Sequence, residues 1–281
     1  MGSAAACGAA VAYPAYIEPR WLEVTRTEVT LPAKQPGRFR VLHLSDLHAT
    51  PIPLSLIDWA LQLGLAEKPD LICLTGDYIT SQIDFEPGQY ASVLAQLSAA
   101  APTFAVLGNH DGGLWSRHLG GYSDHEHMDR ILERAGIRLL HNSCRRVRIH
   151  GNGLNLIGVG DLWAREVLPG AAFRNTDPEL PSILLAHNPD TKDILADRQW
   201  DLMLSGHTHG GTVMVPFQGP RFAPVKDRRF ISGLGCWNGR QIYVTRGVGG
   251  GAYGIRFQCR PEVTILDVEL QPVGSAPSSR L

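Results

Sequence analysis

Short apolar runs recur along this chain, and five of them end in a turn that carries histidine, aspartate or asparagine. Residues 39–44, 71–74, 103–107, 183–186 and 202–204 are of this kind. Apolar runs bounded by turn residues read as buried strands. Between the first three, apolar positions recur at helical spacing. Leu54, Ile57, Leu61 and Leu65 predict a helix over residues 54–67, stopped by Lys68-Pro69-Asp70. Further helices are predicted over 89–100, ended by Pro102, and over 124–135. From residue 137 the pattern changes. Residues 137–140, 144–150 and 154–159 read as strands, with Gly151-Asn152-Gly153 as a hairpin turn. Residues 160–181 read as a loop with or without a short helix, and 190–197 as a short helix. Residues 212–215, 241–245 and 262–270 read as strands, and 216–239 as an insert broken by Pro and Gly.

At the start of the chain, residues 21–31 alternate with period two, but in two phases. Leu22 and Val24 share one phase; Thr27, Val29 and Leu31 share the other. The slip at Thr25-Arg26 predicts a bulge, or two short pieces of an edge strand. Alternating strands and helices in each half, with hairpins at the middle and end, predict an α/β domain. Two mixed sheets packed face to face, with helices outside, fit this order better than one doubly wound sheet. Residues 1–31 are expected to form a tail and an edge strand, 32–270 the domain, and 271–281 a disordered polar tail.

Composition changes this picture little. The 281 residues are 44% hydrophobic and 19% charged, which is enough apolar material for a core without staples. A formal net charge of −1 gives no global field that would favour nucleic acid. The five cysteines are widely spaced and contain no Cys-x-x-Cys pair, so neither a zinc ribbon nor a disulfide framework is expected. No apolar run approaches the ~20 residues that span a bilayer. Residues 1–17 are Ala-rich but lack the basic start and Leu-rich centre of a signal peptide. They read either as the remnant of a membrane anchor or as a disordered tail.

The chemistry lies at the strand ends. Asp46-Leu47-His48, Gly76-Asp77, Gly108-Asn109-His110-Asp111, His187 and Gly206-His207-Thr208-His209 follow the five runs. In an open α/β sheet, ligands bind beyond the carboxyl ends of strands, so these groups are expected to converge. Carboxylate, imidazole and amide donors without sulfur suit Mn, Fe, Zn or Co and do not choose among them. Asp77, alone on its turn, is free to bridge two ions.

With these motifs in this order, the chain resembles the calcineurin-like metallophosphoesterases over residues 38–270. The resemblance implies a four-layer αββα sandwich and two divalent metal ions. It implies Asp46, His48 and His209 on the first ion, Asn109, His187 and His207 on the second, and Asp77 between them. It implies that a hydroxide held between the ions attacks phosphorus, with His110 facing the phosphate as general acid or charge stabiliser and Asp111 orienting His110. The run 206–211 and the tail Tyr243-Val244-Thr245-Arg246-Gly247 with Gly249-Gly250 resemble a narrower bacterial branch of phosphodiesterase-like proteins. Some of that branch cleave the pyrophosphate of a UDP-linked diacylglucosamine, and many carry an N-terminal membrane anchor or export signal. The expected substrate is therefore a small-molecule or lipid-linked phosphoester. A lipid-linked nucleotide sugar is the first choice; a broad organophosphate or cyclic-nucleotide diester is the alternative. A metal-free scaffold would require lost ligands, and none is lost. A nuclease would require a basic groove, and none is visible.

Trp115 follows His110 on a Gly-bearing loop and reads either as cleft lining or as packing. Arg246 and Arg256 flank a Gly-rich loop and read either as contacts to a phosphate or carboxylate of the substrate or as members of surface ion pairs. His43 is expected in the core, and His118, His125, His127, His141 and His150 outside the site.

Overall fold

The computed structural model describes residues 12–50, 52–82, 86–250 and 254–272; the start of the N-terminal tail and most of the C-terminal tail lie outside them. In chain order the strands are β1 (Glu23–Ala33), β2 (Gly37–Leu44), β3 (Leu71–Leu74), β4 (Thr103–Ala105), β5 (Arg138–Leu139), β6 (Ser143–Ile149) and β7 (Asn152–Gly158). They continue with β8 (Ser182–Leu185), β9 (Leu202–Ser205), β10 (Met214–Val215), β11 (Gly219–Pro220), β12 (Gly233–Trp237), β13 (Arg240–Val244) and β14 (Glu262–Pro272). The helices are α1 (Leu54–Leu65), α2 (Pro87–Ala100), α3 (Gly113–His118), α4 (Glu126–Arg134) and α5 (Pro169–Ala172).

Two six-stranded mixed sheets result. The first runs β1-β14-β2-β3-β4-β5 and the second β12-β13-β9-β8-β7-β6. Their facing sides share one apolar core. Val41, Leu71, Cys73, Phe104 and Leu266 from the first sheet meet Leu154, Leu156, Ile183, Leu185 and Leu204 from the second. The outer face of the first sheet, with Leu42, Leu44, Ile72 and Leu74, packs on α1, α2 and α4 through Ile57, Leu61, Tyr90, Leu94, Met128 and Ile131. The outer face of the second sheet is covered more thinly. Ile157, Leu184, Met203 and Ile242 are capped by Ala172 of the one-turn α5 and by Leu195, Trp200 and Phe230 from irregular segments. The expected layers are present, with the fourth reduced to short helical turns and loops.

The period slip in the first strand has a different cause from the one expected. β1 pairs with β14 one residue to one residue from Glu23↔Glu262 to Ala33↔Pro272, without a bulge. Leu22 and Val24 pack with the helix-side core, whereas Val29, Leu31 and Ala33 pack into the core between the sheets. Successive strand residues point to opposite faces. A straight strand therefore changes phase when the face that is covered changes along its length.

What positions the site is the common direction of five strands. β2, β3 and β4 are parallel neighbours in the first sheet, and β8 and β9 in the second. All five deliver their following turns to one end of the sandwich. The turns are stitched within each sheet, by Asp46 N–H donating to Gly76 O (2.9 Å) and Gly206 N–H to His187 O (3.0 Å), and across the sheets by Val248 N–H donating to Ser45 O (3.1 Å).

Candidate metal centre

Two groups of three side chains gather at these turns. Ligand atoms of Asp46, His48 and His209 lie within 4.8 Å of one another, and so do those of Asp77, His187 and His207. All six residues are buried. Asp77 joins the groups, for its Oδ2 lies 3.5 Å from His48 Nε2 and 3.2 Å from His187 Nε2. Within the groups His48 Nε2 faces His209 Nε2 at 3.2 Å, and His187 Nε2 faces His207 Nδ1 at 3.2 Å.

The backbone is bent hard to achieve this. Asp46, His48, Asp77, His207 and His209 all have positive φ, between 48° and 70°. Such a conformation costs a non-glycine residue on the order of 1–3 kcal/mol and persists only where the surroundings over-determine it. Hydrogen bonds supply much of that determination. Both Asp46 carboxylate oxygens accept from His207 N–H at 3.1 Å. His187 Nδ1 lies 2.7 Å from Thr75 O and donates there, which turns Nε2 toward the centre as the nitrogen that a metal ion would meet once its proton is lost. His48 Nδ1 is similarly held by Thr80 Oγ1 at 3.1 Å.

His110 sits at the rim. Its Nδ1 lies 2.6 Å from Thr80 O and must donate there, which leaves Nε2 for another partner; its ring stands edge-on to His48 with centroids 5.2 Å apart. Its backbone N–H donates to Asp77 Oδ1 at 3.0 Å. Asp111, expected to orient His110, does something else. Its buried carboxylate accepts from the backbone N–H groups of Asp77 (2.8 Å), Tyr78 (2.7 Å), Ile79 (3.3 Å) and Gly108 (2.7 Å). It fixes the two turns that carry Asp77 and Asn109, while the Thr80 carbonyl orients His110.

The donor set fits a pair of cations. Imidazole nitrogens point at each other and at carboxylates in both groups, and Asn109 Oδ1 is buried with no hydrogen-bond partner. A buried carbonyl oxygen without a donor is costly unless a cation or water meets it. Electrostatics agree. Burial pushes the Asp46 carboxyl up to about 6, and burial pulls His48 down to about 4 and His207 to about 3. Burial alone would also lower His187, but the charge of Asp77 and a hydrogen bond to it outweigh burial and hold His187 up at about 10. One proton is thus trapped between His187 and Asp77 in the metal-free protein. Metal binding at pH 7 should therefore release protons, and affinity should fall further as pH drops through about 6 and Asp46 takes up its own proton. Calorimetry in buffers of different ionisation enthalpy measures the release. A metal-binding enthalpy independent of buffer would contradict the trapped proton.

Comparison with known proteins agrees with this geometry. Residues 39–211 match the family model described as calcineurin-like phosphoesterase. The chain belongs to the calcineurin-like phosphoesterase family. It is 43% identical over 257 residues to phosphodiesterase YaeI of Escherichia coli, covering 91% of this chain and 92% of that protein. It is 29% identical to UDP-2,3-diacylglucosamine pyrophosphatase LpxG of Chlamydia muridarum, covering 97% and 99%. Among solved structures, NAD nucleotidase of Haemophilus influenzae superposes with a TM-score of 0.50 at 16% identity, over 78% of this chain and 46% of that one; this is a likeness of fold. The two relatives by sequence are named as a phosphodiesterase and a pyrophosphatase, and the chain is a hydrolase of this metallophosphoesterase family.

The remaining sequence candidates divide. Trp115 lies on α3 and packs against Trp163 with ring centroids 4.5 Å apart, and Trp163 stands edge-on to His207 at 4.3 Å. Trp163 was not singled out from sequence, although it too follows an apolar strand, β7, in the run Asp161-Leu162-Trp163. Arg246 is ion-paired, but not at the surface: it binds the buried Glu262 (3.0 Å) and Glu23 (2.8 Å) and is itself only partly exposed. Arg256 is neither a surface ion pair nor open to a substrate, for it is fully buried and donates to backbone carbonyls. His43 is a core residue bonded to Thr75 Oγ1 at 2.8 Å, with burial lowering it to about 3. His125 pairs with Glu166 at 2.9 Å, and His150 with Asp70 at 3.0 Å; neither is a member of the two groups. Among the described residues no helix is long and apolar enough to cross a membrane.

Proposed function

We propose that the chain hydrolyses a phosphodiester or pyrophosphate bond with two divalent metal ions, and that Asp46, His48 and His209 hold one ion, Asn109, His187 and His207 the other, and Asp77 both. The observation that carries this reading is the single oxygen, Asp77 Oδ2, placed between His48 of one group and His187 of the other. Nitrogen and oxygen donors suit Mn, Fe or Zn. When bound, the ions supply Lewis-acid polarisation of a phosphoryl oxygen and lower the pKa of water.

The chain's own residues do the rest. His110, with Nδ1–H spent on Thr80 O, presents Nε2 to the substrate, where it donates a proton or hydrogen bond to a phosphoryl or leaving oxygen. Asp111 keeps the Asp77 turn closed against the Asn109 turn. Trp115 and Trp163 form a wall beside the His187–His207 group and contact the group attached to phosphorus. Leu114, Leu119 and Leu168, close in sequence to these tryptophans, are exposed apolar residues. An apolar rim beside a phosphoester site favours a substrate with an apolar substituent, in keeping with the activity for which the pyrophosphatase relative is named. A lipid-linked nucleotide sugar is our first choice, and it would bring the enzyme to a membrane surface. A broader set of organophosphate or cyclic-nucleotide diesters is the second reading, favoured by the higher identity to the protein named as a phosphodiesterase.

The test begins with protein stripped of metal. After addition of Mn, a chromogenic phosphodiester should be cleaved faster than its monoester partner, and neither should be cleaved without metal. Lipid-linked pyrophosphates are then compared with soluble diesters of the same leaving group. Preference for the monoester would overturn the diesterase reading; preference for the soluble diester would move the substrate to the second reading.

A further inference from the structure

Arg256 is the largest fully buried side chain among the described residues, and no ion pair to a carboxylate accompanies it there. A buried charge without a counter-charge is expensive unless every donor is met by a dipole. Here every donor is. Nε donates to Gly249 O (3.1 Å). Nη1 donates to Cys259 O (3.0 Å) and, at 3.5 Å, to His209 O. Nη2 donates to Arg246 O (2.7 Å), Gly247 O (3.1 Å) and Gly249 O. Five carbonyls from three separate stretches of chain thus converge on one planar guanidinium, whose fixed fork of five N–H groups suits the task as an ammonium would not.

Three of the carbonyls, those of Arg246, Gly247 and Gly249, belong to a loop that presses on one of the two metal groups. Gly249 N–H donates to Asp46 O (2.6 Å), and Val248 N–H to Ser45 O (3.1 Å). The fit has no slack: a Cβ at Gly249 would lie 2.7 Å from Asp46 O and 3.1 Å from His48 Cβ, and one at Gly247 would lie 2.6 Å from Asp46 Cβ. On the other side Cys259 Sγ touches His209 O at 3.3 Å. Asp46, His48 and His209, the three residues of this group, all have a positive φ that needs outside support, as do Asp77 and His207 of the other group. The other group is held differently, by Asp111 on the Asp77 turn and by Thr75 O on His187.

We infer that Arg256 is the positioning residue of the Asp46–His48–His209 group: through the carbonyls of 246–249, His209 and Cys259 it clamps the Gly-rich loop against the Asp46–His48 turn and fixes the geometry of one metal position but not of the other. The inference rests on the proposal that both groups hold metal. It assigns Arg256 to no substrate contact.

The test reads metal binding, not turnover. Wild-type protein titrated with Mn should take up two ions and give the spin-coupled electron paramagnetic resonance signal of a pair. Arg256→Met, similar in reach but without donors, should bind one ion with wild-type affinity. The second should bind about 10–100-fold more weakly, the range expected when a group that orients metal ligands is lost. The signal should then be that of isolated Mn. Arg256→Lys, which keeps the charge but only three donors, should fall between. Adding His187→Ala to Arg256→Met should remove the remaining tight site. If Arg256→Met does not fold, as judged by circular dichroism, Gly249→Ala makes the same test by moving the loop while keeping Arg256, with the same selective loss expected. Retention of both ions at wild-type affinity in a folded variant overturns the inference, as does parallel weakening of both. Failure of wild-type protein to bind a pair would sink the two-metal proposal instead.

Discussion

Asp77→Ala should empty the centre and abolish turnover together. Asp77 is the residue shared by both groups, with Oδ2 toward His48 and His187 and Oδ1 accepting the His110 N–H. Alanine removes the carboxylate that lies between them and leaves two sets of imidazoles facing one another with one fewer negative charge. Losses from groups that merely orient ligands run to about 100-fold in affinity, and a shared ligand should exceed that range. Metal content per chain and hydrolysis of a chromogenic diester, measured on the same sample, should both fall to background. A variant that kept two ions would show that the groups load independently, and Asp77 would then not be the bridge.

His110→Ala should separate the two properties. No atom of its ring lies within either group, and the backbone N–H that donates to Asp77 Oδ1 survives in alanine. Both ions should therefore remain. The rate should fall on the order of 10²–10⁴-fold, the usual contribution of a positioned general acid. The loss should appear in kcat rather than in metal affinity. An emptied centre in this variant would show that His110 supports the ligands, and its assignment to the substrate would fail.

The two predictions differ in how early their residues could be recognised. Asp46, His48, Asp77, Asn109, His187, His207 and His209 were legible as a set because each follows an apolar run, and strand ends are where a sheet presents its ligands. His187 was the weakest signal, a single residue, and the structure places its Nε2 among the others. The role of Asp111 was not legible, since adjacency to His110 suggested a side-chain contact and its carboxylate turns instead to four backbone donors. Trp163 lay unnoticed in a loop because a loop residue has no periodicity to mark it, and only folding brings it to His207 and Trp115.

By itself the sequence determined the succession of strands and helices in the βα units, the switch to hairpins after residue 137, and the identity of the candidate ligands. These follow from local information: the period of apolar positions and the residue types at their ends. The tertiary structure alone decided which sheet covers which half of β1, that the fourth layer is thin, and that Arg256 spends its charge on carbonyls rather than on a substrate. Each of those depends on what lies across a gap from a given residue. Side-chain periodicity says that a face is covered but not by what, and a charged residue in a Gly-rich stretch looks the same whether the loop opens to solvent or folds over it.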